Sequence, residues 1–388
     1  MSSVPNETLE LKNIGPIAQA TVQFGDLTIL VGPQATGKSI FFQFLKLLLD
    51  VKPILGYLTE HGLNWHKDIK SFLELYLGEG MGGVWKPGRS EMLWHGSSVD
   101  LESFVKSKRQ AGPEKSFLIP AQRVMAFSRD GWFRPFNDYR TGDPFSVRDF
   151  SEKLRRLMES DGGRNGAIYP QPRRLKAEIR ELLSKNIFGG FQLELDKAGP
   201  QKRLVLHGHG TQIPYMVWSA GQREFVPLLL GLYWLLPPAN HKRLGALDWV
   251  MIEELEMGLH PKAIAAMFFI VLELMWRGYR VCLSTHSPQV LELVWAFRNL
   301  REHNADPRKV LSLFDVKCTP STIKLAKAAL SKIANVYYFG HQSQTARDIS
   351  QLDPASSEIA EWGWGGLTEL SGRLADMVAD AAAADRVT

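Results

Sequence analysis

Cysteine is nearly missing from this chain. Cys282 and Cys318 are its only two, so neither a disulfide framework nor a four-cysteine zinc site can be built, and a reducing, cytoplasmic setting is expected. Long apolar runs are missing too. The two longest, Phe225 to Pro238 and Ala263 to Trp276, are too short for a bilayer and are interrupted by Pro227 or Glu273. They are expected as core helices, with no membrane contact. Met1 to Glu10 is polar and lacks the basic-then-apolar order of a signal peptide. No heptad run of three or more repeats occurs, which argues against a long coiled-coil arm. Charge of one sign is scarce as well: 46 basic against 41 acidic residues leave a net +5, which permits nucleic-acid contact without arguing for it.

What remains is an ordinary globular composition, 45% hydrophobic and 22% charged over 388 residues, enough for one large or two to three ordinary domains. One stretch organises it. Gly32-Pro33-Gln34-Ala35-Thr36-Gly37-Lys38-Ser39 fits the phosphate-loop pattern G-x-x-x-x-G-K-[ST] at every fixed position. Leu27 to Val31 before it reads as a buried strand, and Ser39 to Leu49 after it as a core helix. Backbone N–H groups of Gly37, Lys38 and Ser39 are then expected to converge on a polyphosphate at a helix N-terminus. Lys38 is expected to reach the β- and γ-phosphates of ATP and the Ser39 hydroxyl to hold Mg²⁺, with Ile40 counted in the nucleotide-contacting set.

Leu9 to Ile14 and Ala18 to Phe24 alternate apolar and polar residues around the turn Gly15-Pro16, as an antiparallel pair does. Lys12 in the first of them can lean over the nucleotide or be a solvated strand lysine. Helical patterns follow at Trp65 to Leu77, Val147 to Met158 and Arg173 to Asn186. Phe117 to Arg123 reads as a short buried strand ending in two polar residues that, if it joins the main sheet, delivers Gln122 or Arg123 near the phosphates. Arg155, Arg156, Arg164, Arg173, Arg174, Lys176 and Arg180 form either a phosphate-contacting surface or, with Glu152, Glu159, Glu178 and Glu181 interleaved, an ordinary solvated face.

Three later stretches carry chemistry. Ser219-Ala220-Gly221-Gln222 opens an apolar helix, with Ser219 as its N-cap. Trp249 to Ile252 is a buried strand running into Glu253, Glu254 and Glu256. Burying the edge of such a carboxylate cluster is costly unless a cation compensates. Glu253 is therefore expected to hold the metal, and Glu254 to orient and deprotonate the water that attacks the γ-phosphate. Arg280 to Pro288 reads as a further buried strand ending in hydroxyls and in His286, which can hydrogen-bond the γ-phosphate.

Taken in order, these stretches resemble the ABC-type ATPase heads of the RecF, SMC and OLD group. In that resemblance Gly32 to Ser39 is the Walker A loop and Gln122 the Q-loop glutamine, a metal-side residue. Ser219 to Gln222 is the signature motif, Ile252 to Glu256 the Walker B strand with its catalytic glutamate, Gly258 to Pro261 the D-loop region, and His286 the switch histidine. Glu253 stands where the group usually has aspartate, Trp218 precedes the signature serine, and Ala220 replaces a glycine. The resemblance implies an α/β P-loop NTPase of ABC-ATPase type: a parallel core sheet with an N-terminal antiparallel sheet, an inserted subdomain and a C-terminal α/β extension. The head is expected over residues 1–300, interrupted at about 51–204, and the extension over 301–388. Beyond Leu293, strands are expected at Val310 to Val316 and Val336 to Phe339, a helix after Gly366, and no Toprim nuclease.

The resemblance further implies a homodimer or higher even oligomer, closed head-to-tail around ATP. With no Toprim nuclease expected, the chain is similar to stand-alone ATPases of bacterial antiphage systems (PtuA-like), whose effector, a nuclease or toxin, is a separate chain. A DNA-repair ATPase binding DNA directly is the competing expectation, and a transporter ATPase subunit a third.

Overall fold

The structure is a computed structural model that describes residues 7–106, 112–160, 167–169, 174–196, 202–237, 243–341, 344–353 and 356–384. Strands β1 (Thr8–Ile14) and β2 (Ile17–Gln23) alternate buried and outward residues and pair antiparallel, with Ile14 opposite Ile17. β3 (Leu27–Val31) is buried at every position, as a strand covered on both faces must be. The loop after it enters α1 (Lys38–Glu60), which bends where Asp50 leaves helical geometry, three residues before Pro53. There the Asp50 carboxylate accepts hydrogen bonds from the backbone N–H groups of Lys115 and Ser116 and from buried Lys46.

α2 (Ile69–Leu77) begins where Asp68 caps the Ser71 N–H at 2.8 Å, so the cap sets its start four residues after Trp65. β4 (Glu91–Trp94) and β5 (Ser97–Ser98) extend the first sheet in the order β2-β1-β4-β5. Then come α3 (Leu101–Lys106), β6 (Ser116–Ile119) and α4 (Phe145–Ser160). A second antiparallel sheet, ordered β10-β9-β8-β7, holds β7 (Ala167–Tyr169), β8 (Gln192–Asp196), β9 (Arg203–Gly208) and β10 (Thr211–Pro214). Between β7 and β8 lies α5 (Ala177–Leu183), which runs into a π-turn at Ser184–Phe188.

The remaining elements alternate: α6 (Ala220–Leu235), β11 (Trp249–Glu253), α7 (Pro261–Arg277), β12 (Arg280–Thr285) and α8 (Pro288–Glu302). α9 (Pro307–Leu313), α10 (Pro320–Leu330), β13 (Ala334–Phe339), β14 (Ala346–Asp348), α11 (Ile359–Trp362) and α12 (Glu369–Ala384) complete the chain. The strand expected at Val310 to Val316 is instead α9. Asp306 caps the Arg308 N–H and Pro307 occupies the first helical position, a start signal that outweighs a short apolar run. No described helix is long and apolar enough to cross a membrane.

The central sheet has the order β14-β13-β3-β12-β11-β6, parallel from β13 to β6 with β14 antiparallel at the edge. Alternate residues of its strands feed two cores. Leu27, Ile29, Val31, Val250, Ile252, Val281 and Leu283 face the helices α6 and α7 and the second antiparallel sheet. Leu30, Met251, Trp249 and Cys282 face α1 and the first antiparallel sheet. Burial on both faces explains the near-continuous apolar strands.

The boundaries expected at about 51–204 and 301–388 do not separate the sheets. β6 lies within the first range and β13 and β14 within the second, and all three are strands of the central sheet. Topology decides this, because parallel neighbours need not be close in sequence.

Candidate functional site

All five parallel strands present their carboxyl ends at one edge, where ligands bind in open α/β sheets. Registers align three of those ends: Val31 lies beside Thr285, and Ser284 beside Glu253. β12 thus separates the loop-bearing strand β3 from the acidic strand β11 and leaves a cleft between them.

The loop after β3 is built from backbone that few residues tolerate. Gly32 has φ +141°, and a Cβ there would collide with the Phe339 carbonyl oxygen. Gly37 has φ +97°, and a Cβ there would meet Ile17 at 2.6 Å. Ala35 also adopts a left-handed φ of +59°, a strained choice for a residue with a side chain. Thr36 Oγ1 donates to the Pro33 carbonyl at 2.9 Å. The Lys38 ammonium folds back onto the loop, donating to the carbonyls of Gly32 at 2.8 Å and Pro33 at 2.6 Å. Burial pushes its pKa down to about 8, against the opposing pull of Glu254, Glu256 and Glu253.

Across the cleft, β11 ends in carboxylates with distinct surroundings. Glu253 is buried; its Oε2 accepts from the Ala121 N–H at 2.9 Å, and its Oε1 has no hydrogen-bond partner. Desolvation raises its pKa, while the Ala121 N–H and the Ser39 hydroxyl pull it back. Glu254 follows in a left-handed conformation, φ +47°, with its N–H donating to the Ser284 carbonyl at 3.0 Å. Glu254 Oε1 lies 3.7 Å from His286 Nε2. Glu256 turns away and accepts from Thr285 Oγ1 at 2.9 Å and the His286 N–H at 2.6 Å. Burial and the nearby Lys38 lower the His286 pKa, with Glu254 opposing, which favours the neutral imidazole.

The cleft measures about 330 Å³ and is lined by loop residues Gln34 to Ile40 with Pro16, Glu254, Ser284 and His286. It brings together residues far apart in sequence. Gly32, Pro33 and Glu253 are not among the lining residues, and two further expected members lie on other parts of the fold. Lys12 stays on the first antiparallel sheet, paired with Glu91 at 3.3 Å and Glu10 at 3.4 Å. Gln122 is exposed, at the start of a 3₁₀ turn, and is not among the lining residues. Its neighbour Arg123 is fully buried behind the acidic turn. Sequence reading offered this arginine only as the alternative to Gln122 near the phosphates; the strand stops at Ile119, and the arginine turns inward four residues later.

The residues present fit Mg²⁺. Buried Glu253, one of whose carboxylate oxygens has no hydrogen-bond partner, lies by the Ser39 hydroxyl, the small oxygen donor set that this ion takes when phosphates and water complete it. Among the described residues no group of three or more His, Cys, Asp or Glu could hold a metal by itself.

Ser219 to Gln222 lies outside the cleft, at the start of α6. Ser219 and Gln222 cap each other: the Ser219 N–H donates to Gln222 Oε1 at 2.9 Å, and the Gln222 N–H to Ser219 Oγ at 3.3 Å. Met216 and Val217 just before are 57% and 69% exposed. The basic residues of the middle segment are largely engaged within the chain. Arg155 and Arg156 pair with Glu152, Lys176 with Glu273, and Arg174 donates to the Tyr233 carbonyl. Arg164 and Arg173 lie outside the described residues.

A phosphate loop between β3 and α1, with an acidic strand one strand removed, makes this an α/β P-loop NTPase fold. A family model described as "AAA domain, putative AbiEii toxin, Type IV TA system" matches residues 100–292, a stretch that holds the acidic strand and His286 but not the phosphate loop. No curated protein matches the chain. Among solved structures, an SMC head bound to the C-winged helix domain of ScpA is 13% identical, with TM-score 0.41, covering 74% of this chain and 90% of that one. An SMC head domain from Thermotoga maritima is 14% identical, with TM-score 0.31 and the same coverage. The ATP-binding subunit of an ABC transporter is 14% identical, with TM-score 0.32, covering 74% and 82%. Such values transfer no residue roles.

Proposed function

We propose that this chain is a Mg²⁺-dependent ATPase that closes head-to-tail with a second copy around ATP and regulates a separate effector, a nuclease or toxin, of a bacterial defence complex. The observation that carries the ATPase reading is the convergence of Lys38, Ser39, Glu254 and His286 on one cleft at the carboxyl edge of the sheet, with buried Glu253 beside the Ser39 hydroxyl. Bound with the nucleotide, Mg²⁺ supplies charge neutralisation on the phosphates. Ser39 and Glu253 would hold it.

The chain's own groups do the rest. The start of α1 and the Lys38 ammonium bind and orient the phosphates. Glu254 positions a water and takes its proton. His286, favoured in its neutral form and within reach of Glu254, offers a donor toward the γ-phosphate.

The dimer reading rests on the exposed signature turn with Met216 and Val217 beside it, an apolar edge of the kind that marks a contact surface. ATP then bridges two copies and ADP does not, so turnover shifts the population between closed and open pairs. The toxin–antitoxin setting in the matched family description supports the defence role.

Purified protein should hydrolyse ATP with Mg²⁺ and form ATP-dependent dimers. A chain that binds no ATP would overturn the reading. Strong, salt-sensitive DNA binding by the isolated chain would favour direct action on DNA. The engaged cations of the middle segment give that alternative little footing.

A further inference from the structure

We infer that Arg123 is the positioning residue of this site: its guanidinium holds the acidic turn in the shape that presents Glu254 to the cleft and ties that turn to α6 at Glu224. The inference rests on the reading of Glu254 as the group that acts on water.

The geometry is specific. Nη1 donates to the Glu253 carbonyl at 2.9 Å and Nη2 to the Glu254 carbonyl at 3.0 Å, so the planar fork spans two successive peptides. Nε donates to the Glu224 carbonyl at 3.1 Å and lies 3.5 Å from the Glu224 carboxylate. The side chain has no exposed surface. A buried cation survives only where its bonds are satisfied, and here every bond goes to one of two segments.

Those bonds answer a local need. Glu254 is left-handed, φ +47°, a conformation that costs free energy for a residue with a Cβ. It persists because its N–H is held by Ser284 and its carbonyl by Arg123. Without the second bond the turn can relax and swing the carboxylate away from the cleft. Lysine cannot replace the fork, since a point ammonium does not span two carbonyls and a third acceptor in one plane.

The same arginine joins the acidic turn to the helix that carries Ser219 to Gln222. A second contact reinforces the junction: a Cβ at Gly221 would lie 2.7 Å from the Gly258 carbonyl oxygen, so the two backbones touch. Any shift of the start of α6 is therefore felt at Glu254. A partner engaging the signature turn thereby acts on the neighbouring reaction centre.

The test uses the full-length chain and separates binding from turnover. Arg123→Lys should leave the Kd for a fluorescent ATP analogue within about threefold of native while kcat falls by at least about tenfold. In a Glu254→Gln background Arg123→Lys should cause little further loss, because it acts through that carboxylate. Native turnover in Arg123→Lys, or a loss that adds in full to that of Glu254→Gln, would overturn the inference.

Should Arg123→Lys lose its melting transition, Glu224→Gln decides. It removes the carboxylate charge 3.5 Å from Nε that orients the buried guanidinium, so the bonds to the acidic turn loosen and kcat should drop with Kd unchanged, and a native kcat would overturn the inference. If the native chain hydrolyses no ATP, or Glu254→Gln turns over normally, the ATPase reading itself has failed. Arg123→Lys turnover at the native rate beside an inactive Glu254→Gln sinks this inference alone.

Discussion

Helices α1 and α6 both begin at functional turns, and they begin in opposite ways. α1 starts at left-handed Gly37, and no side chain caps its first N–H groups. α6 starts at Ser219, where a reciprocal box with Gln222 satisfies two donors. The first end opens into the cleft, whereas the second lies on the surface. An uncapped helix end carries partial positive charge that an anion completes. A capped end is content in water and can be presented to a partner. One end is therefore made to bind phosphate within its own chain, and the other to be met from outside.

Glu254 stands between the two ends, and changing it should give the largest effect. Glu254→Gln should lower turnover by roughly 10²–10⁴-fold with ATP binding retained, and ATP-bound dimers should accumulate in light scattering. An unchanged rate would remove its role.

Breaking the open end comes next. Lys38→Ala should weaken ATP binding by at least about 100-fold in calorimetric titration. Affinity near native would place the phosphates elsewhere.

At the capped end, Val217→Glu buries a charge only if the turn is an interface. It should weaken ATP-dependent dimerisation by about tenfold or more without touching monomer stability. Native dimerisation in this variant would leave α6 without its proposed partner.

The open end should also titrate. The Lys38 pKa sits at about 8 in the free chain, and a bound polyphosphate raises it, so above pH 8 binding must take up a proton. ATP affinity should be level below pH 8 and weaken by up to about tenfold per pH unit above it. The same depression means that the folded chain holds fewer protons than the unfolded one between about 8 and the usual lysine value. Fold stability should therefore rise with pH across that window. Affinity unchanged from pH 7 to 9 would show that the ammonium stays charged.

The smallest effect belongs to Lys12, paired with Glu10 and Glu91 away from the cleft. Lys12→Ala should leave ATP affinity and turnover at native values. A clear loss would mean that this strand closes onto the nucleotide.

Much of the site was legible because its chemistry is written locally. Gly32, Gly37, Lys38 and Ser39 fall within eight residues, and their strand and helix flanks follow from apolar pattern alone. Glu253 and Glu254 were visible at the end of an apolar strand. Gln122 and Arg123 were not separable in that way, because a strand end does not say which of two neighbours turns inward; the structure exposes Gln122 and buries Arg123. Val310 to Val316 was misread for a related reason, since a cap and a proline outweighed five apolar residues.

The amino-acid sequence by itself determined the phosphate loop, the helix starts and which strands would be buried, since each depends on φ, on capping or on hydrophobic period within a few residues. Only the tertiary structure decided that β12 lies between β3 and β11, that β6 and β13 join the same sheet, and that Arg123 braces the acidic turn. Those are pairings between segments up to hundreds of residues apart. Their free energy comes from burial and hydrogen bonds that exist only after the chain has closed on itself.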